Sequence, residues 1–346
     1  MAVFYRKYRP QKISDLDLVD VRERLEKDLE KGELPHAYLF VGPRGSGKTS
    51  AARILSKVLN CKENQDSKGK LEEPCLECDQ CENIEKNKAV DVIEIDAASH
   101  RGIDAIRDLR DKIGLSPVSA EKKVYIIDEV HMLTTPAFNA LLKTLEEPPE
   151  HAQFFLCTTE EEKVPETIAS RCVRVGFTKA TVEEVRDSLE KVVEGEDLKM
   201  SDEALDLLAD SVDGSFREGH KLLEQLSGKE EIELADVKKV LGVAQGIEPE
   251  RLAKLLLDGD AKGALKELDE ADKAGVVWSG YSLSVLGYLR DQLKAKYGLG
   301  KEEVKHNKER VKMVTERVAR ACVEMKNAVV EPLPLEVAAA ELGEEQ

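Results

Sequence analysis

Several things are scarce in this chain of 346 residues, and each scarcity excludes something. No uninterrupted apolar stretch approaches the roughly 18 residues a membrane span needs, so no membrane association is expected. The opening stretch "MAVFYRKYRP" lacks the apolar centre of a secretory signal, which makes the cytoplasm the expected location. Aromatics make up only 4% against 35% charged residues, the composition of a helix-rich, heavily solvated protein. Basic charge is short as well. The net charge of −17 argues against a generally basic nucleic-acid binder, because phosphate contacts must supply most of that affinity. Any DNA contact has to come from local basic patches or basic partners. Internal repeats and long low-complexity segments are also missing.

What is present begins with "VGPRGSGKTSAARIL" at residues 41–55. The spacing Gly42-x-x-x-x-Gly47-Lys48-Thr49 fits the phosphate-binding loop at every fixed position. Glycines 42, 45 and 47 let the backbone turn its N–H groups onto an anion, and the following helix adds its positive N-terminal end. Lys48 can reach the outer phosphates and the Thr49 hydroxyl can ligate Mg2+. The apolar run "HAYLF" before the loop supplies the strand that such a loop requires. Gly42, Pro43, Arg44, Gly45, Ser46, Gly47, Lys48 and Thr49 are thus the candidate nucleotide-binding residues.

Further short apolar runs follow at residues 91–96, 123–128, 153–159 and 174–177, with helical patterns between them. Strands alternating with helices predict an α/β domain with a largely parallel sheet. The run "VYIIDEVH" delivers Asp128 and Glu129 to the end of a strand, where such sheets bind ligands. Asp128 would hold the magnesium shell and Glu129 would polarise the attacking water. After about Phe177 the strand signal stops. A capping box at Thr181 and Glu184, a cap at Ser201 and a helix start at Pro249 mark a helical second half. The expected domains are 1–178, with an insertion at about 61–81, then 179–243 and 244–346.

Of seven cysteines, four follow the spacing Cys61-x13-Cys75-x2-Cys78-x2-Cys81. Four thiolates make a closed tetrahedral Zn2+ site, structural rather than catalytic. A ferredoxin-type iron–sulfur run would continue with a further Cys-Pro, whereas Cys81 is followed by "ENIEK", so zinc ranks ahead. Cys157, Cys172 and Cys322 read as buried or incidental, and His100 and His131 as lone histidines without partner spacing.

The stretches "YRKYRPQ", "HAYLFVGPRGSGKTSAARIL", "EIDAAS", "KVYIIDEVHML", "FNALLKTLEEPPEH" and "TIASRC", with the cysteine cluster, resemble one family: the AAA+ ATPase subunits of bacterial replicative clamp loaders, the gamma/tau family of DNA polymerase III. The resemblance covers about residues 3–177 closely, continues in "DGSFRE" and loosens over the last hundred residues. It implies an AAA+ P-loop domain with a parallel sheet and a zinc-binding insertion, then a helical lid and an all-α collar joining related subunits in an open ring. It implies an ATP-hydrolysing enzyme using ATP, Mg2+ and Zn2+, which loads a sliding clamp onto primer–template DNA with delta, delta prime and further gamma copies. Beside Lys48, Asp128 and Glu129, it makes Thr159 a γ-phosphate sensor, Arg217 the lid arginine and Arg171 a finger for the neighbouring subunit. Arg107 and Lys143 match positions facing DNA. The segment "ISDLDLVDVRE" departs from the family and leaves the adenine contacts open, and "EGHKLL" after Arg217 is more polar than usual. The chain stops where the collar should end, as in a short form or a truncation. A small-molecule kinase lacks a place here for its acceptor pocket. An unfoldase would carry an aromatic pore loop where this chain has "DAASHRGIDAIRD", and a non-hydrolysing scaffold would not need Lys48, Asp128 and Glu129 together.

Overall fold

The computed structural model describes residues 3–66, 71–99, 113–241, 247–299, 305–325 and 328–344. Along the chain come α1 (Phe4–Lys7), α2 (Val19–Glu30), β1 (Ala37–Val41), α3 (Lys48–Asn60), α4 (Lys62–Asp66) and α5 (Asp79–Glu85). Then follow β2 (Val92–Asp96), β3 (Lys123–Asp128), α6 (Thr135–Glu146), β4 (Ala152–Thr158), α7 (Glu166–Ala169) and β5 (Val173–Gly176). The remaining elements are helical: α8 (Val182–Gly195), α9 (Asp202–Ser211), α10 (Phe216–Leu226), α11 (Leu234–Val240), α12 (Pro249–Asp258), α13 (Ala261–Lys273), α14 (Trp278–Lys296), α15 (Lys308–Met325) and α16 (Leu333–Glu344). None of the described helices is long and apolar enough to cross a membrane.

The five strands form one sheet in the order β2-β3-β4-β1-β5, every pair parallel. The strands sit within one residue of the predicted apolar runs. β4 is buried along its whole length, which is why "AQFFLCT" reads as a continuous apolar run rather than an alternating one. Edge strand β2 is only partly covered and carries two acids in "VIEID". Parallel pairing brings all carboxyl ends to one edge. There Asp96 pairs with Asp128 and Val41 with Thr158, so the ends of β1, β3 and β4 meet beside the loop after β1. Helix α6 starts behind Thr134 with Pro136 in its first turn and stops before Pro148, as the sequence predicts.

Residues cluster into two compact units, Met1–Leu198 with Leu208–Glu224, and Lys199–Leu207 with Gln225–Gln346. The first holds the sheet, with Tyr125, Phe154 and Leu156 of the strands packed on Phe138 and Leu141 of α6. The expected capping box at α8 is formed, Thr181 Oγ1 accepting from Glu184 N at 3.1 Å and Thr181 N donating back to Glu184 Oε2 at 2.8 Å. The second unit is helical around Leu252, Leu256, Tyr281, Val285, Val311 and Leu335. In it the Arg310 guanidinium donates to the carbonyls of Leu256, Leu257 and Leu342, satisfying the last turns of α12 and α16 with a positive charge. Pro249 opens α12, as expected, and Gly259 closes it at φ 75°.

Candidate nucleotide site and metal centre

The phosphate loop leaves β1 with Gly42 N bonded to Thr158 O at 3.1 Å. A side chain at Gly42 would lie 2.1 Å from Phe177 O, so only glycine passes that point. Gly45 and Gly47 sit at φ 80° and 96°, the left-handed region that favours glycine, and Gly47 directly precedes α3. The loop therefore ends on the N-terminus of a 13-residue helix, where free N–H groups and the helix dipole attract an anion. Lys48 is buried, and its Nζ donates to the Gly42 and Pro43 carbonyls at 2.8 Å each. Burial pulls this ammonium below the usual lysine range, against the opposing pull of Cys157, Glu129 and Asp128.

The acids stand where the sequence predicts. Thr49 Oγ1 donates to Asp128 Oδ2 at 3.0 Å, so two oxygens of the kind that bind magnesium already touch. Glu129 N donates to Asp128 Oδ1, and Thr159 Oγ1 donates to Glu129 Oε2, both at 3.0 Å. Hydrogen bonds thus run unbroken from Thr49 through both acids to Thr159. Glu129 lies at φ 48°, ψ 46°, a left-handed conformation that costs a non-glycine residue about 1–3 kcal/mol. That strain turns its carboxylate off the strand direction towards the site. His131 corrects the sequence reading: it is not alone. Its Nδ1 is 2.9 Å from Thr158 Oγ1 and 3.5 Å from Glu129 Oε2, and its Nε2 is 3.1 Å from Glu160 Oε1. Spacing alone could not have found it, because two of its three partners, Thr158 and Glu160, come from the end of another strand.

A cavity of about 770 Å³ lies over the loop, lined by residues 44–49, Asp128, Glu129 and Arg217. Arg217, at the start of α10, packs so close that a side chain at Gly45 would come within 3.3 Å of its Cβ. Its guanidinium stands over the Tyr5 ring, 4.8 Å from the centroid. Tyr5, Arg6, Tyr8, Arg9 and Pro10 line the same cavity, a role the sequence reading missed although "YRKYRP" carried the resemblance. Leu16, Leu18, Val21, Phe177 and Phe216 give the cavity an apolar side, so the divergent "ISDLDLVDVRE" segment lines the site after all. The polar "EGHKLL" places His220 there, buried, with Nε2 3.2 Å from Ser188 Oγ. Burial lowers the pKa of His220 below the usual histidine value.

Arg171 is elsewhere. It follows α7 and donates to Thr167 O at 2.6 Å and to Glu146 Oε1, at the end of α6, at 2.7 Å. It is not among the residues lining the cavity. Lys143 is exposed in the last turn of α6, and Arg107 lies outside the described residues.

Cys61 at the end of α3, Cys75, Cys78 and Cys81 in α5 bring their four sulfurs within 4.8 Å of one another. Sulfurs bound at about 2.3 Å to one tetrahedral ion stand about 3.8 Å apart, so a set within 4.8 Å fits a tetrahedral zinc. Burial opposes the Cys78 thiolate, but N–H groups of Lys62 and Cys81 and the neighbouring thiols outweigh it and bring the pKa down to about 7. Cys157 is buried in β4, and burial raises its thiol pKa well above the usual value.

A family model described as DNA polymerase III, delta subunit, matches residues 19–181. DNA polymerase III subunit tau of Bacillus subtilis is 42% identical over 304 residues, 87% of this chain and 53% of that protein. DNA polymerase III subunit gamma of Buchnera aphidicola subsp. Schizaphis graminum is 36% identical over 290 residues, 83% of this chain and 78% of that protein. The chain thus spans about half the length of the tau relative and over three quarters of the gamma one. Among solved structures, the Thermotoga maritima RuvB Holliday junction branch migration motor superposes with a TM-score of 0.50 at 18% identity, covering 80% of this chain and 90% of that one. That likeness concerns the fold alone, a parallel α/β module with a helical C-terminal part.

Proposed function

The chain belongs to the gamma/tau family of bacterial DNA polymerase III, and from that premise we propose that it is the ATPase motor subunit of a replicative clamp loader. Binding and hydrolysis of ATP would open a ring-shaped sliding clamp and release it on primer–template DNA. The work is done in a cytoplasmic assembly with delta, delta prime and further gamma copies. We assign residues 1–178 to the nucleotide module, 179–243 to the lid and 244–346 to the collar.

The observation that carries this reading is the hydrogen-bonded line Thr49–Asp128–Glu129–Thr159 beside the phosphate loop. Backbone N–H groups of the loop receive the outer phosphates, and Lys48 exchanges its two loop carbonyls for phosphate oxygens. Thr49 and Asp128 would hold magnesium, which would supply charge neutralisation for the phosphates. Glu129 orients and polarises the attacking water, and Thr159 fixes the carboxylate that does so. Arg217 meets the γ-phosphate from the lid. Arg171, held on the flank, serves a neighbour's γ-phosphate. The four cysteines would hold a zinc ion, and a site closed by four thiolates would supply structural support rather than chemistry.

The test measures turnover with the chain alone, with a ring clamp, and with clamp plus primed DNA. A clamp-loader motor accelerates most with the last combination. A rate indifferent to both would assign the chain to another AAA+ machine acting on DNA or protein.

A further inference from the structure

The N-terminal segment passes the nucleotide cavity twice, and something has to hold it between the two passages. Arg9 and Pro10 line the cavity, the chain turns away, and Leu16, Asp17 and Leu18 line it again. In the turn between, a short 3₁₀ helix at Ile13–Asp15 leaves backbone donors without partners of their own. Those donors are taken by one side chain from 60 residues further on: Glu73 Oε2 accepts from Ile13 N at 2.9 Å and Glu73 Oε1 from Ser14 N at 2.8 Å. Glu73 stands two residues before Cys75, inside the cysteine module. A second tie comes from the same module's other end. Glu85, four residues after Cys81, accepts from Lys57 Nζ at 2.7 Å, and that buried ammonium also donates to the Gln11 side chain. Both ends of the module therefore grip the segment at the turn between its cavity-lining stretches.

We propose that the cysteine module positions the N-terminal wall of the nucleotide cavity, with Glu73 as the positioning residue that transmits the metal's rigidity to Ile13 and Ser14. This rests on the nucleotide and zinc readings above. The metal fixes Cys75, Cys75 fixes Glu73, and a carboxylate taking two N–H bonds admits only one placement of the turn. Metal occupancy then sets nucleotide affinity without any metal–nucleotide contact. Glu73 is half-buried at the surface and is not among the residues lining the nucleotide cavity.

The experiment measures affinity for a fluorescent ATP analogue, zinc content, and hydrogen exchange of residues 9–18 in the full chain. Glu73→Ala should keep its zinc and its thermal midpoint, yet bind the analogue about tenfold more weakly, the effect of losing roughly one charge-assisted hydrogen bond. Its Ile13 and Ser14 amides should exchange faster. Glu73→Gln, which keeps one acceptor, should fall between. Cys78→Ser should lose zinc and weaken the analogue to a similar degree, and the double variant should add little, because both act through one contact. Unchanged affinity in Glu73→Ala, or full additivity of the two changes, would overturn the proposal. Failure of the unaltered chain to bind the analogue, or to carry zinc, would instead overturn the reading on which it rests.

Discussion

Arg217 and Arg171 are chemically identical, but the family resemblance expects the first at its own chain's nucleotide and the second at a neighbour's, and the two regions that hold them differ. The start of α10 presses Arg217 against the phosphate loop and stacks it over Tyr5, within the cavity of its own chain. The end of α7 ties Arg171 to Thr167 and Glu146 on the flank, away from that cavity. The difference is one of completeness. The phosphate loop, Asp128, Glu129 and Arg217 line one cavity within the chain, with Thr159 bonded to Glu129, whereas Arg171 is not among its lining residues and, in the proposed function, serves another copy.

The comparison can be broken most severely at its base. Lys48→Ala should abolish ATP binding, whereas Glu129→Gln should bind ATP and fail to turn it over, since one residue meets phosphate charge and the other positions water. Nucleotide affinity measured on both variants decides it, and equal loss in the two contradicts the assigned roles. Next in size, Arg171→Ala should bind ATP nearly normally but lose about 10³-fold in turnover within the assembly. Mixing it with Lys48→Ala subunits should restore part of the activity missing from either alone. No recovery in assemblies shown to contain both would place Arg171 in its own subunit's structure. Arg217→Ala should lose about 10²-fold, as when one transition-state donor is removed, and mixing should not repair it, because its cavity is its own.

A smaller effect is expected at the DNA-facing positions. Neutralising Lys143 together with Arg107 should lower DNA-stimulated turnover and flatten its dependence on salt, leaving the basal rate alone, because fewer phosphates are then neutralised and the net charge of −17 leaves few contacts to spare. Stimulation that survives both changes relocates the DNA surface. Smallest of all is Glu146→Gln. The Arg171–Glu146 pair is substantially solvated, with side chains 34% and 49% exposed, so breaking it should move stability by less than about 1 kcal/mol in thermal unfolding. A large loss would mean that Arg171 is a structural strut.

How much was legible beforehand follows from how local each feature is. The loop at 42–49 could be read because a backbone that wraps an anion needs glycines at fixed steps, and such a need leaves its mark in consecutive residues. The central strands β1, β3 and β4 and the helix at Thr135–Glu146 could be read because burial on both faces and proline stops are equally local. The cysteines announced themselves by spacing. His131 could not, since its value comes from Thr158 and Glu160, which β4 brings beside it.

By itself, then, the chain of residues determined the phosphate loop, the acids at the end of β3, the thiolate set and the parallel α/β core, since each rests on interactions between near neighbours or on a repeating pattern of burial. Only the tertiary structure decided that residues from the stretches 5–10 and 16–21 line the cavity over the phosphate loop, that Glu73 grips the turn between them at Ile13 and Ser14, and that one arginine turns inward while the other turns away. Those outcomes depend on where strands and helices far apart in sequence come to rest. Short-range spacing carries no record of contacts across 60 or 200 positions.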